Sequence, residues 1–337
     1  MDRPVWVIVV NYRTPALAIA CLASIEAMVG DLRGGKVVVV DNDSADGSSA
    51  QINAAIHRHA WHGWAEVLAM PRNGGFAYGN NAGLRHAISS DPTLGCAILL
   101  NPDTVVAPGA IGSLLGYLDA HPKVGIAGAR IVNEKGWPES SAHRLPSPLG
   151  ELEDAAQFAP LSRVLHAHAV SPPIASTAHL CDWVSGACMA IRREVLDAVG
   201  PLDEGYFLYF EEVDYCLRAK RAGWHCAFVP EACVTHLEGA STGIAIGRRR
   251  RPGYWYASRR RFFVKAYGVL GLLWADTLWS IGRISLLVRR VLRFGGRAGA
   301  EREPSRLALD LLWGDLKAAA TGEWRRIERL PRRLHAG

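Results

Sequence analysis

Short apolar runs alternate with longer stretches of mixed polarity along the first hundred residues. VWVIVV (5–10), KVVVV (36–40), EVLAM (66–70) and CAILL (96–100) each end at polar or Pro/Gly residues, the pattern of strands buried on both faces. Between them lie helix-length segments: 15–29 after Thr14-Pro15, 47–60 after Asp46, and 76–90 after Asn73-Gly74-Gly75. Each opens on residues that suit a helix N-terminus. This alternation predicts right-handed βαβ units and an α/β fold around a mostly parallel sheet. Segment 133–180 contains Pro138, Pro146, Pro148, Pro160, Pro172 and Pro173 and reads as a loop-like, mobile element. Regular structure resumes at DWVSGACMAIRR (182–193), and a helix is predicted near 210–222.

In open parallel sheets ligands bind beyond the carboxyl ends of the strands. Those ends are Asn11-Tyr12-Arg13, Asp41-Asn42-Asp43-Ser44, Arg72-Asn73-Gly74-Gly75 and Asn101-Pro102-Asp103, all polar. Asp41 and Asn42 can hydrogen-bond a pyrimidine edge or a ribose, or simply form an Asx-turn. NGGFAYGNNAG (73–83) brings glycines to a helix start, where backbone N–H groups favour anions, although such glycines also serve packing alone. Asp103, held after a proline, can share a divalent cation with a diphosphate or cap the following helix. His236 closes the strand-like VPEACVTH, and on its own a histidine there is more often a surface or core residue than a ligand.

YFEEVDYC (209–216) places Glu211, Glu212 and Asp214 close together. On a helix Glu212 and Asp214 point about 200° apart, so one pocket does not easily hold both. Asp214 has Arg218 four residues on, the spacing of an intrahelical ion pair. Glu211 and Glu212 fall in the first turn, where the helix dipole favours negative charge.

Charge divides the chain. Residues 1–247 hold 17 Lys+Arg against 25 Asp+Glu, net −8, whereas residues 248–337 hold 21 against 7, net +14. The second region is read as a basic helical annex for membrane association or oligomerisation. Its aromatic, apolar character favours anionic lipid over nucleic acid. Within RRRFFVKAYGVLGLLWADTLWSIGRISLLVRRVLRF (259–294) the longest charge-free stretch, 266–275, has ten residues, too few to span a bilayer. Lys265, Asp276, Arg283 and Arg290 fall within about 20° of one direction on a helical wheel. That suits a helix lying in the membrane interface, or one packed on the rest of the protein or on a partner subunit. The seven cysteines form no CxxC pair, which argues for reduced thiols over a disulfide framework or zinc site. VWVIVV is too short for a secretory signal and reads as a first strand.

Taken in order, VIVVNYRTP, VVVVDNDSADGS, RNGGFAYGNNAG, ILLNPDT, WVSGACMAIRR, VGPLDEGYFLYFEEVDYCLRAKRAGW and VTHLEGAST resemble the inverting family 2 glycosyltransferases over roughly residues 4–245. Within them the chain most resembles bacterial rhamnosyltransferases that use dTDP-L-rhamnose. The resemblance implies a GT-A fold over 1–247, with a nucleotide-binding half (1–130) and an acceptor-binding half (131–247). Positions matching the nucleotide-sugar site are Asn11, Arg13, Asp41, Asn42, Ser44, Asn73, Phe76, Asn80, Asn101 and Asp103. Asn101 stands where many relatives have Asp. Trp183, Gly186 and Asp214 match the acceptor and donor-sugar wall.

Glu212 matches the general base, where most relatives have Asp, and Glu211 its neighbour. Asp103 and His236 match ligands of a Mg²⁺ or Mn²⁺ cofactor. The implied donor is a dTDP-sugar, with a UDP-sugar such as UDP-galactofuranose as the alternative. The implied acceptor is polyprenyl-diphosphate-linked or polysaccharide, met at the cytoplasmic face of a bacterial plasma membrane by a peripherally bound enzyme. A sugar nucleotidyltransferase is disfavoured because NYRTPA is not a Gly-rich phosphate loop, and a non-catalytic scaffold because all four strand ends keep polar residues.

Overall fold

The computed structural model describes residues 3–237, 250–292 and 306–327. Its strands are β1 (Val5–Asn11), β2 (Val37–Asp41), β3 (Ala65–Ala69), β4 (Cys96–Leu100), β5 (Thr104–Val106), β6 (Val124–Val132), β7 (Pro138–Glu139), β8 (Ala142–His143), β9 (His179–Cys181), β10 (Trp183–Val184), β11 (Cys188–Arg192) and β12 (His225–His236). The helices are α1 (Pro15–Ile25), α2 (Ser48–Arg58), α3 (Gly75–Ser90), α4 (Ala110–Ala120), α5 (Pro148–Ala156), α6 (Ala159–Val164), α7 (Arg193–Val199), α8 (Glu211–Arg221), α9 (Gly253–Val291) and α10 (Leu307–Ala320).

The main sheet runs β3-β2-β1-β4-β11-β6-β12-β5. Its first four strands are parallel, as the apolar runs require; β11 then enters antiparallel between β4 and β6. The register aligns Asn11 with Asp41 and so brings two of the polar strand ends to one edge. Edge strand β5 pairs antiparallel with β12, opposing Thr104 to His236. Apolar clusters on both faces of the sheet account for the near-continuous hydrophobicity of β1, β2 and β4.

Segment 133–180 is not loop throughout. It carries α5 and α6 and three short strands. The prolines mislead because Pro148 and Pro160 occupy first-turn positions, where a missing N–H costs nothing. Ser147 Oγ caps α5 by accepting from Gly150 N at 3.1 Å. Helix α5 lies hard against α9: a Cβ on Gly282 would come within 2.9 Å of Ala155 Cβ and Leu152 O. That contact holds the segment in place.

Helix α9 breaks at Gly268, whose φ of 76° and ψ of 177° are not helical, so one wheel does not carry from Lys265 to the residues beyond it. Lys265 and Asp276 are buried and ion-paired inside the protein. Two residues of the predicted stripe thus face the protein, while Arg283 and Arg290 are half-buried. Phe262, Phe263 and Leu272 share an apolar cluster with Tyr206, Val213 and Leu217, across the expected boundary at 247/248. Glu238–Thr242 of VTHLEGAST, and Arg248 and Arg249, lie outside the described residues.

Candidate active site

Two cavities lie side by side at the carboxyl edge of the sheet. The first, about 360 Å³, is walled by Tyr12, Asn42, Asn73, Phe76, Asn101 and Pro102, and closed opposite by Phe207, Leu208 and Tyr254. Asn42 donates to Asn73 Oδ1 and to Gly75 O, both at 3.0 Å, while its own Oδ1 is buried without a partner. A buried lone acceptor is costly unless something supplies an N–H or O–H, and a nucleobase edge or ribose would.

Below this wall a buried network sets the loop after β2. Asp41 accepts from Asn11 Nδ2 (3.0 Å), Ser49 Oγ (2.5 Å) and Ser44 Oγ. Ser44 Oγ accepts from Arg13 N at 2.9 Å, and Arg13 Nε donates to Ser44 O at 3.1 Å. Asn11, Asp41 and Ser44 thus brace the pocket from beneath and do not line it. Arg13 is exposed, its guanidinium 5.0 Å from the Tyr12 ring centroid. Asn80, on α3, is buried and donates to Phe76 O at 3.0 Å; it too supports the wall from behind.

Beside Asn101, Asp103 Oδ1 stands 3.2 Å from His236 Nε2, and Asn101 Nδ2 is 3.4 Å from the same nitrogen. The β5–β12 pairing creates this meeting, helped by Leu237 N donating to Asp103 O at 2.8 Å. The O···N separation is close to the chord of about 3.0 Å spanned by adjacent ligands at about 2.1 Å from one octahedral cation. Among the described residues no three His, Cys, Asp or Glu form a metal-holding group. Asp103 and His236 therefore fit a cation whose remaining ligands come from water and substrate phosphates, as hard divalent ions accept.

The second cavity, about 520 Å³, is lined by Trp183, Glu212, Tyr209 and Phe210, with Asp154 from α5 and Trp279 from α9 among the remaining walls. Trp183 stacks on His143 at 4.1 Å and donates from Nε1 to Arg144 O at 2.8 Å. Gly186 stands between the cavities: a Cβ there would lie 3.4 Å from Phe76 Cζ and 3.8 Å from Glu212 Cβ.

Glu212 Oε2 and Glu211 Oε2 are both buried without a hydrogen-bond partner. Burial pushes the Glu212 carboxyl up to about 7, against the lowering effect of backbone N–H groups at the start of α8. Burial, reinforced by the Glu212 charge, lifts Glu211 well above the ordinary carboxylate range. Immediately before them Tyr209 and Phe210 hold φ of 71° and 70°, a left-handed conformation that costs a non-glycine residue about 1–3 kcal/mol and clusters at functional sites.

Asp214 does not belong to this wall. Its fully buried side chain meets Arg218 at 2.9 Å, Lys265 at 2.8 Å and Tyr206 Oη at 3.3 Å. The i+4 ion pair and the 200° separation from Glu212 account for its position; its place among the sugar contacts is corrected. The aromatic wall of Phe207, Tyr209 and Tyr254, and the contributions of α5 and α9, escaped the sequence reading. Two short aromatic runs, YFLYF (206–210) and YWY (254–256), were the available signal. All seven cysteines are free thiols; burial pushes Cys21, Cys96 and Cys188 up to about 12, which leaves them unreactive.

The mixed α/β sheet with flanking helices, carrying two adjoining cavities at its carboxyl edge, has the GT-A-like architecture. The fold agrees with solved structures at low identity. GalNAc-T7 with UDP, GalNAc and Mn²⁺ aligns with TM-score 0.56 at 14% identity, over 98% of this chain and 59% of its own. The mannosyltransferase PcManGT of Pyrobaculum calidifontis with GDP-Man and Mn²⁺ aligns with TM-score 0.52 at 17% identity, over 96% of this chain and 82% of its own.

Residues 3–255 match the family described as "Glycosyltransferase like family 2", and the chain belongs to it as a sugar-transferring enzyme. It is 30% identical over 217 residues to N-acetylglucosaminyl-diphospho-decaprenol L-rhamnosyltransferase of Mycobacterium tuberculosis, covering 61% of this chain and 68% of that protein. To a low-salt glycan biosynthesis hexosyltransferase of Haloferax volcanii it is 26% identical over 216 residues, 64% of this chain and 61% of that protein.

Proposed function

We propose that the enzyme transfers L-rhamnose from dTDP-L-rhamnose to a hydroxyl of a polyprenyl-diphosphate-linked sugar, with inversion. The observation that carries the reading is Glu212, whose Oε2 is buried without a partner, on the wall of the Trp-lined cavity that adjoins the nucleotide-sized one. The 30% identical relative is named for this donor sugar and a diphospho-decaprenol acceptor, which supports the choice.

Asn42 and Asn73 hold the base or ribose, with the aromatic ring of Phe207 opposite. The acceptor sugar stacks in the second cavity on Trp183 and presents its hydroxyl to Glu212. Glu212 takes that proton as the oxygen attacks the anomeric carbon on the face opposite the nucleotide, so one displacement inverts the centre. Asp103 and His236 would hold a divalent cation. When bound, Mg²⁺ or Mn²⁺ would offset the charge of the departing diphosphate; both fold neighbours were solved with Mn²⁺, which supports this.

The test measures nucleotide release from dTDP-L-rhamnose, UDP-galactofuranose and UDP-hexoses with a polyprenyl-diphosphate-linked N-acetylglucosamine acceptor and Mg²⁺ or Mn²⁺. Metal-dependent release from dTDP-L-rhamnose is expected. Preference for a UDP-sugar would replace the donor assignment. Glu212→Gln should lower turnover by roughly 10²–10⁴-fold while dTDP binding persists; a fully active variant would remove Glu212 as the base.

A further inference from the structure

Beyond Gly268, α9 turns an apolar face outward. Leu270, Trp274, Ile281, Ile284, Val288 and Val291 recur at helical spacing and are exposed, Trp274 at 62% and Val291 at 80%. The opposite face, with Leu272, Asp276, Trp279 and Gly282, is buried. Helix α10 repeats the arrangement: Leu309, Trp313 and Leu316 are exposed while Leu311, Asp315 and Ala318 are buried. Exposed apolar stripes of this length on both helices mark an interaction site.

Charge identifies the occupant. The four acids of this region among the described residues are taken up internally: Asp276 by Arg259, Asp310 by Arg250, and Asp315 and Glu323 by Arg260. The net +14 of residues 248–337 attracts an anionic surface to this part of the molecule. Among the described residues only Pro15–Leu32 is long and apolar enough to cross a membrane, and α1 within it packs its buried residues into the sheet core. Helix α9 is not such a span, so a bilayer would meet it from the side.

We propose that the outward face of α9 and α10 seats this enzyme on an anionic bilayer, with Trp274 and Trp313 buried at the headgroup boundary. The seating rests on this face and its charge alone, independent of which sugar is transferred. It also carries α10 to the membrane, and the Leu307 and Leu311 side chains of that helix line the cavity that contains Glu212.

Co-sedimentation with vesicles of phosphatidylcholine plus phosphatidylglycerol, against phosphatidylcholine alone, tests this. The wild-type chain should pellet with the anionic vesicles and less with the neutral ones. Trp274→Glu with Trp313→Glu should weaken binding by roughly tenfold or more and leave the thermal melt unchanged, since both side chains are exposed. A second pair on the same face, Ile284→Gln with Val291→Gln, should act alike. The proposal is overturned if the wild type stays in the supernatant, or if both pairs pellet as it does. A lipid-free dimer that the same substitutions dissolve, without vesicle binding, would assign the face to a second copy.

Discussion

Glu211 and Glu212 are chemically identical neighbours with different surroundings. Glu211 is almost wholly enclosed, whereas Glu212 reaches a cavity. A base with a carboxyl near 7 balances the fraction ionised against the pull on a hydroxyl proton. Turnover should therefore rise with pH and level off above about 7, as Glu212 loses its proton. The same shift bears on stability. Its folded value lies above the unfolded carboxylate value of about 4.3, so folding favours the protonated form. That contribution is fully present at low pH and is lost as pH rises through about 7. Glu212→Gln should thus be more stable than wild type at pH 8, by an amount on the order of 1 kcal/mol, and no more stable at pH 4. Thermal melts at the two pH values measure this.

Among the elements, the 207–210 loop connects the cavities and carries the strain. Leu208 O accepts from Ser258 Oγ at 3.0 Å, and Phe210 packs on Phe262 and Trp255 with ring centroids 5.7 and 6.0 Å away. These contacts come from α9, which therefore braces the loop that leads into Glu212. From the other side Phe76 N donates to Phe207 O at 2.9 Å. Gly75 makes that approach possible: its φ is +86°, and a Cβ would lie 2.0 Å from Phe207 O. Gly75→Ala should cost at least about 1–3 kcal/mol and weaken dTDP binding, because α3 and the loop must separate. Urea denaturation and a nucleotide titration would reveal both effects.

At the scale of the whole molecule, buried ion pairs tie the basic region to the catalytic body. Arg259, on α9, meets Glu151 of α5 at 3.0 Å, Asp276 at 2.9 Å and Asp315 of α10 at 3.7 Å, and its side chain is 2% exposed. Lys265 bridges Asp203 at 2.5 Å and Asp214 at 2.8 Å. Removing one partner strands charge in a low-dielectric interior, at a cost of about 3–5 kcal/mol. Arg259→Met should lower stability by that amount, read from denaturant unfolding, and should reduce turnover as α5 and α9 loosen around the second cavity.

Local pattern was enough for the parallel half of the sheet, because a strand buried on both faces must be apolar throughout. It was also enough for the i+4 pair of Asp214 and Arg218 and for the polar strand ends. The role proposed for Glu212 came from an ordered set of motifs, since nothing in its own neighbourhood distinguishes it from Glu211. Tertiary structure decided what depends on residues far apart in sequence: the meeting of Asp103 with His236 across β5 and β12, and the burial that sets the Glu212 carboxyl. It also decided which side of α9 faces the protein. A helical wheel separates a charged side from an apolar one, but which side packs depended on distant partners: Asp276 is buried against Arg259, which also meets Glu151 on α5 and Asp315 on α10.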